Sequence, residues 1–193
     1  MPGFGGWFGQ KKLSGGGPLI DLGVHRLDLA LWLMGYPKPE YVMGSTYNPI
    51  ATAIAKKQNK IYDVEDLAVA MIKFKNNATM TLEASWAANI KEVEKIQTRL
   101  LGDKGGLFQY NLDGGYTFAA EMYKEQNGCQ VDVRLKDNFP IEGAATSAMD
   151  HLVDSIVQDK PHMATGEEGV IVMEILDALY KSAADGKPVK IGK

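Results

Sequence analysis

Leu67-Ala68-Val69-Ala70-Met71-Ile72-Lys73-Phe74-Lys75-Asn76-Asn77-Ala78-Thr79-Met80-Thr81-Leu82-Glu83-Ala84-Ser85-Trp86 carries the pattern that decides the fold. From Asp66 to Lys75 one parity holds Leu67, Val69 and Met71, and the other holds Ala68, Ala70, Ile72 and Phe74. Alternate side chains of a strand point to opposite faces, so both faces of this strand are apolar, as for a central strand covered on both sides. Asn76-Asn77 suits a tight turn, because asparagine tolerates left-handed backbone. Ala78 to Trp86 alternates more cleanly, with Met80, Leu82, Ala84 and Trp86 against Thr79, Thr81, Glu83 and Ser85. Two strands joined by so short a turn must run antiparallel, since parallel neighbours need a long crossover.

Working outward, Glu40–Tyr47, Glu92–Leu101, Gly106–Leu112, Tyr116–Met122 and Cys129–Leu135 complete the strand set, with turns at Gly102-Asp103-Lys104-Gly105 and Asp113-Gly114-Gly115. Asn48 to Asp63 is polar and irregular and is expected to be a long loop. Helices flank the strands. Pro18 suits a first helical position, and Leu19, Leu22, Leu29, Trp32 and Leu33 recur at helical spacing up to Gly35. Ala145–Gln158 places Leu152, Val153, Ile156 and Val157 on one side. Thr165 followed three residues later by Glu168 is a capping box that opens a last helix running to about Ala184, before a short strand Val189–Ile191. Consecutive strands without helical crossovers give an α+β fold: an open, mainly antiparallel sheet with helices on one face. The helices Pro18–Met34, Ala145–Gln158 and Gly166–Ala184 suffice for that face. The other face would expose apolar surface and is expected to be a subunit interface, giving a homodimer or tetramer.

Composition removes several function classes. Of 193 residues, 45% are hydrophobic and 23% charged, and the net charge is −3 with scattered Lys and Arg. No nucleic-acid or anionic-membrane surface is implied. One cysteine, no His-x-x-x-His pair and three histidines argue against a metal site. No apolar run approaches the length of a membrane span, and no signal-peptide core is visible, so the cytoplasm is the expected location. Asn77-Ala78-Thr79 matches a glycosylation acceptor by chance.

Residues 1–17 form a glycine-rich, aromatic-bearing loop, read as an interdomain or active-site loop ahead of a single α+β domain over 18–193. Trp7 and Phe8 are flat rings suited to stacking on a pyranose, though packing within the loop would explain them as well. Gly15-Gly16-Gly17 lacks the surrounding sequence of either nucleotide-binding glycine motif, so a flexible hinge is expected, with Gly17 a candidate substrate contact. Asp21 and His25, four residues apart on the predicted helix, can touch. The carboxylate would orient an imidazole able to exchange a proton with a hydroxyl near neutral pH. Gly23 between them would leave the helix open to a ligand. Spacing alone leaves open a capping Asp21 and a packed or surface His25. Asp28, near the same stripe, is expected to be a structural hydrogen-bond partner, and Trp32 and Trp86 are expected in the core.

Ser14-Gly15-Gly16-Gly17-Pro18-Leu19-Ile20-Asp21-Leu22-Gly23-Val24-His25-Arg26-Leu27-Asp28 resembles the second signature of the Gfo/Idh/MocA oxidoreductases, named for glucose–fructose oxidoreductase and inositol dehydrogenase. The likeness continues through Leu29–Gly35, Thr81–Trp86 and Ala178–Val189. It implies the substrate-binding, C-terminal α+β domain of an NAD- or NADP-dependent enzyme acting on a sugar, inositol or related polyol. It implies Asp21 and His25 as catalytic groups, His25 exchanging the hydroxyl proton. It also implies that NAD or NADP is held by a Rossmann domain that this chain does not contain, together with a catalytic lysine, so that the chain alone would bind no cofactor and be inactive. A non-catalytic carbohydrate-binding or dimerisation module of the same fold is the alternative.

Overall fold

A computed structural model of the protein describes residues 6–134 and 147–192. The chain divides into two compact units, Met1–Val93 with Ile171–Lys193, and Glu94–Val170. Among the described residues the strands are shared between two four-stranded antiparallel sheets, where the sequence suggested one.

The sheet of the first unit has the order β3-β2-β1-β8, with β1 Pro39–Tyr47, β2 Leu67–Phe74, β3 Thr79–Ser85 and β8 Val189–Lys190. The β2–β3 hairpin is present as read, in the register Ala70↔Leu82 and Ile72↔Met80, and Asn77 takes the positive φ its turn requires. One face is buried through Ala68, Ala70, Ile72, Phe74, Leu82 and Ala84, while Val69 and Met71 are exposed. Thus β2 is covered on one side only. Covering that side are α2 (Val24–Leu33), through Leu27 and Leu31, and the part of α5 (Gly166–Asp185) that carries Ile175, Leu176 and Leu179. Gly44 on β1 lets α5 approach: a β-carbon there would press on Leu179, and its N–H donates to the buried Ser182 hydroxyl at 3.0 Å.

Two expectations fail here. Asn48–Asp63 is not all loop, because Pro49–Lys57 forms a helix, α3. Pro49 starts it, and Ala51 and Ala55 bury with Tyr62 and Val64 in a second small core. Alanines at i and i+4 gave too faint an apolar stripe to signal a helix. Trp32, expected inside, is 51% exposed. Asp28 does serve as a hydrogen-bond partner, accepting from the Tyr36 hydroxyl at 2.7 Å.

The second unit contains β4 Gln97–Leu101, β5 Gly106–Asn111, β6 Phe118–Gln126 and β7 Cys129–Arg134, paired in sequence order, and α4 (Ala148–Val157). Leu135 and Ala145, the expected ends of β7 and α4, lie outside the described residues. Ser147 caps α4 by accepting from the Asp150 N–H. The capping box forms reciprocally, Thr165 N–H to Glu168 at 2.8 Å and Glu168 N–H to the Thr165 hydroxyl at 3.2 Å. Leu152, Val153, Ile156 and Val157 of α4 are exposed and do not cover a sheet face.

Candidate functional site

A short run of carboxylates holds three helix starts, and one of them, Glu65, holds the segment Gly15–Asp28 directly. Asp63, Glu65 and Asp66 each take up an N–H that a helix start leaves without an internal partner. Asp63 accepts from Lys11 N–H at 2.6 Å, at the head of α1 (Lys11–Ser14). Glu65 accepts from Leu19 N–H at 3.1 Å. Asp66, 2% exposed, accepts from Ala51 N–H at 2.8 Å, in the first turn of α3. Glu65 also accepts from the Tyr180 hydroxyl at 2.8 Å. Burial first, then the neighbouring Glu65 charge and this bond, push the Tyr180 phenol well above the usual tyrosine range; N–H groups of Ile20 and Gly17 oppose the rise. Tyr62 is raised likewise, by burial and then by Asp66 and Glu65.

Against this network Gly16 and Gly17 are packed, while Gly15 is exposed with a positive φ. A β-carbon on Gly16 would collide with the Tyr180 ring, and one on Gly17 with the Glu65 carbonyl. Only glycine allows so close an approach. A phosphate cradle presents its N–H groups outward. Here Gly16 and Gly17 are buried beside a carboxylate, so these residues do not fit a dinucleotide pyrophosphate.

The expected single helix Pro18–Met34 begins with a wider turn. Leu19–Gly23 is a π-helical turn, closed by Val24 N–H to Leu19 O, and α2 follows. In a turn closed five residues on, the fourth residue no longer stacks over the first. Asp21 is accordingly not hydrogen-bonded to His25. Its Oδ2 accepts from the Trp86 indole N–H at 3.0 Å. His25 is exposed, and among the described residues nothing hydrogen-bonds to its ring. Gly23 does not open the helix to a ligand, because it is buried, and a β-carbon there would touch Ala84 of β3 and Leu19. Its role is to let the turn lie on the sheet.

Trp86, read as core, is partly buried and turned toward Asp21. Its ring packs on the second small core, and its backbone N–H donates to Asp66 O at 3.0 Å. Phe8 meets it edge-on, with ring centroids 6.2 Å apart. Phe8 in turn stacks on Trp7 at 4.0 Å and an interplanar angle of 28°. Trp7 is 55% exposed, in the tight 3-10 turn Trp7–Gly9. The structure therefore brings Trp7, Phe8 and Asp21 into one run through Trp86. It leaves His25 and Gly17 outside that run: Gly17 is buried against Glu65. A cavity of about 210 Å³ lies by Lys11, Asn48, Asp63, Glu65 and Tyr180, and neither Asp21 nor His25 lines it. Sequence reasoning missed Glu65, Tyr180 and the role of Trp86. Their partners lie 46 to 115 residues away, beyond any local pattern.

Residues 3–191 match the sequence pattern described as "oxidoreductase family, C-terminal alpha/beta domain". D-glucoside 3-dehydrogenase of Escherichia coli (strain K12) is 32% identical over 197 residues, which cover 99% of this chain and 53% of that protein. Levoglucosan dehydrogenase, solved in complex with NADH, superposes with a TM-score of 0.75 at 20% identity, over 97% of this chain and 53% of its own. Aldose-aldose oxidoreductase of Caulobacter crescentus, solved with glycerol, does so with a TM-score of 0.73 at 21% identity, over 96% and 50%. At these identities the solved structures show the fold. The chain spans about half the length of the relatives it matches.

Proposed function

As the chain belongs to the Gfo/Idh/MocA oxidoreductases, matching their C-terminal alpha/beta domain, we propose that it is the substrate-binding part of an enzyme that oxidises or reduces a sugar or polyol at a carbinol carbon. The observation that carries this is the run of Trp7, Phe8 and Trp86 ending on the Asp21 carboxylate. Flat rings offer an apolar platform to the C–H face of a pyranose, and a carboxylate beside them accepts a hydroxyl proton in a hydrogen bond. The relatives named as glucoside and levoglucosan dehydrogenases support that substrate class. His25, exposed and without a hydrogen-bond partner among the described residues, can exchange a proton with the reacting hydroxyl. NAD or NADP is the proposed redox partner, held by residues outside these 193, because the glycine triplet here does not fit it. The proposed setting is the cytoplasm; among the described residues no helix is long and apolar enough to cross a membrane.

The test is binding of methyl β-D-glucopyranoside to the chain, followed by saturation-transfer NMR. Contact through the sugar's C–H protons is expected, and is expected to weaken on Trp7→Ala. A glycoside that receives no saturation even at high millimolar concentration would refute the proposal. The exposed sheet face bearing Met43, Val69 and Met71 is the proposed contact for a homodimer or tetramer. A monomeric mass by light scattering would remove it.

The alternative, a non-catalytic carbohydrate-binding module, draws support from Asp21 being held by Trp86 and not by His25. The two are separated by His25→Ala in an assembly with the nucleotide-binding portion. Turnover falls about 100-fold or more if His25 is the acid–base group.

A further inference from the structure

The indole of Trp86, partly buried, is held by its packing on a small core, by Phe8 and by its own N–H. Its ring lies on the small core of Ala51, Ala55, Tyr62 and Val64. Its backbone N–H is fixed by Asp66, whose carboxylate anchors α3 beneath it. Ser85, its neighbour in the chain, ties to the same carbonyl at 2.8 Å. Phe8 braces the ring in a T-shaped contact. A donor so confined has little rotamer freedom left to lose, and it donates to one oxygen of Asp21 only. The π turn sets Asp21 out of line with His25, and the carboxylate that was expected to orient the imidazole is itself oriented by the indole.

We propose that Trp86 is a positioning residue. By fixing Asp21 Oδ2 it aims Oδ1 at a hydroxyl of a pyranoside lying on the Trp7–Phe8 surface. One rigid indole thereby sets both the height of the stacking platform and the direction of the acceptor. Ring stacking and hydroxyl recognition are coupled, and a sugar that stacks without an acceptor-facing hydroxyl is discriminated against. This rests on the sugar-binding role proposed above.

Two measurements on the 193-residue chain test it. The first needs no sugar. The three indole N–H signals, from Trp7, Trp32 and Trp86, are resolved by ¹H–¹⁵N NMR. The Trp86 signal should lie downfield and exchange with water far more slowly than that of exposed Trp32. It should move upfield and exchange faster in Asp21→Ala and stay unchanged in His25→Ala. A Trp86 indole exchanging as fast as Trp32, or blind to Asp21→Ala, would overturn the proposal. This stands even if a Trp86 variant fails to fold.

The second is the affinity for methyl β-D-glucopyranoside. Trp86→Phe keeps the ring and removes the N–H, and should weaken binding about tenfold, equivalent to about 1.4 kcal/mol. A 3-deoxy or otherwise hydroxyl-deleted glycoside should be far less sensitive to the change at the position that faces Asp21. Equal affinities of Trp86→Phe and the unaltered chain would overturn the positioning role alone. No binding by the unaltered chain would overturn the sugar-binding role, and this inference with it.

Discussion

Glu65→Ala is the substitution that most directly tests how the segment Gly15–Asp28 is held. It deletes the acceptor of two hydrogen bonds, from Leu19 N–H at 3.1 Å and from the Tyr180 hydroxyl at 2.8 Å. Leu19 is 2% exposed, so its N–H has no bulk water to turn to in place of the lost acceptor. A buried donor left unsatisfied costs about 1–3 kcal/mol, and the tyrosine hydroxyl loses a bond to a charged group of similar worth. The expected loss is about 2–5 kcal/mol, a large part of the roughly 5–15 kcal/mol that holds an ordinary domain together. Glu65→Gln keeps a side-chain oxygen in the same place and should cost only about 1 kcal/mol. Tyr180→Phe removes one of the two bonds and should fall between them. The assay is urea unfolding followed by far-UV circular dichroism, with the double variant Glu65→Ala/Tyr180→Phe closing a cycle. Residues in direct contact should show a coupling of about 0.5–3 kcal/mol. If Glu65→Ala unfolds within about 0.5 kcal/mol of the unaltered chain, or matches Glu65→Gln, the carboxylate does not hold the turn and the reasoning fails.

Alkaline pH should destabilise the fold through Tyr62 and Tyr180. Both phenols are raised in the folded chain, so their contribution is complete below about pH 10 and is lost as pH rises toward the folded values, at up to about 1.4 kcal/mol per pH unit for each group. Urea midpoints above about pH 10 should therefore drop, less steeply in Tyr180→Phe; identical slopes would count against burial as the cause. Gly17→Ala should unfold the chain or cost more than about 3 kcal/mol, because its β-carbon would collide with the Glu65 backbone carbonyl, whereas at Gly23 the close contacts are side-chain carbons at 3.3 and 3.4 Å, with the Pro18 carbonyl at an ordinary 3.7 Å, and Gly23→Ala should cost under about 1.5 kcal/mol by thermal melt. Thr165→Ala breaks the capping box and should lower stability by about 1 kcal/mol, and a neutral result would mean that end of α5 frays in solution.

The elements most legible in the sequence were those whose stability is local. The β2–β3 hairpin is written in alternation and a two-asparagine turn, and the α5 start in the Thr165–Glu168 pair. α3 was hidden because small alanines bury with little hydrophobic signal, and because Asp66, its anchor, follows it in the chain. Asp21 was singled out by its spacing from His25, yet that spacing assumed an ordinary α turn. Nothing in Leu19-Ile20-Asp21-Leu22-Gly23 announces a π turn, whose extra width releases Asp21 to Trp86. The division into two sheets was equally invisible, since alternation fixes which way side chains point and not which strands pair.

The carboxylates of residues 63–66 have a consequence for grafting. Connecting segments are usually the parts of a fold that can be lengthened, shortened or exchanged between relatives. Here a few consecutive positions anchor the segment bearing Trp7 and Phe8, the turn bearing Asp21 and the helix beneath Trp86. A transplant that moved the aromatic turn or the Asp21 segment into another scaffold without this connector would carry the recognition groups and leave their common origin behind. The connector, though it contributes no atom to the proposed sugar contact, is the unit that must travel with them.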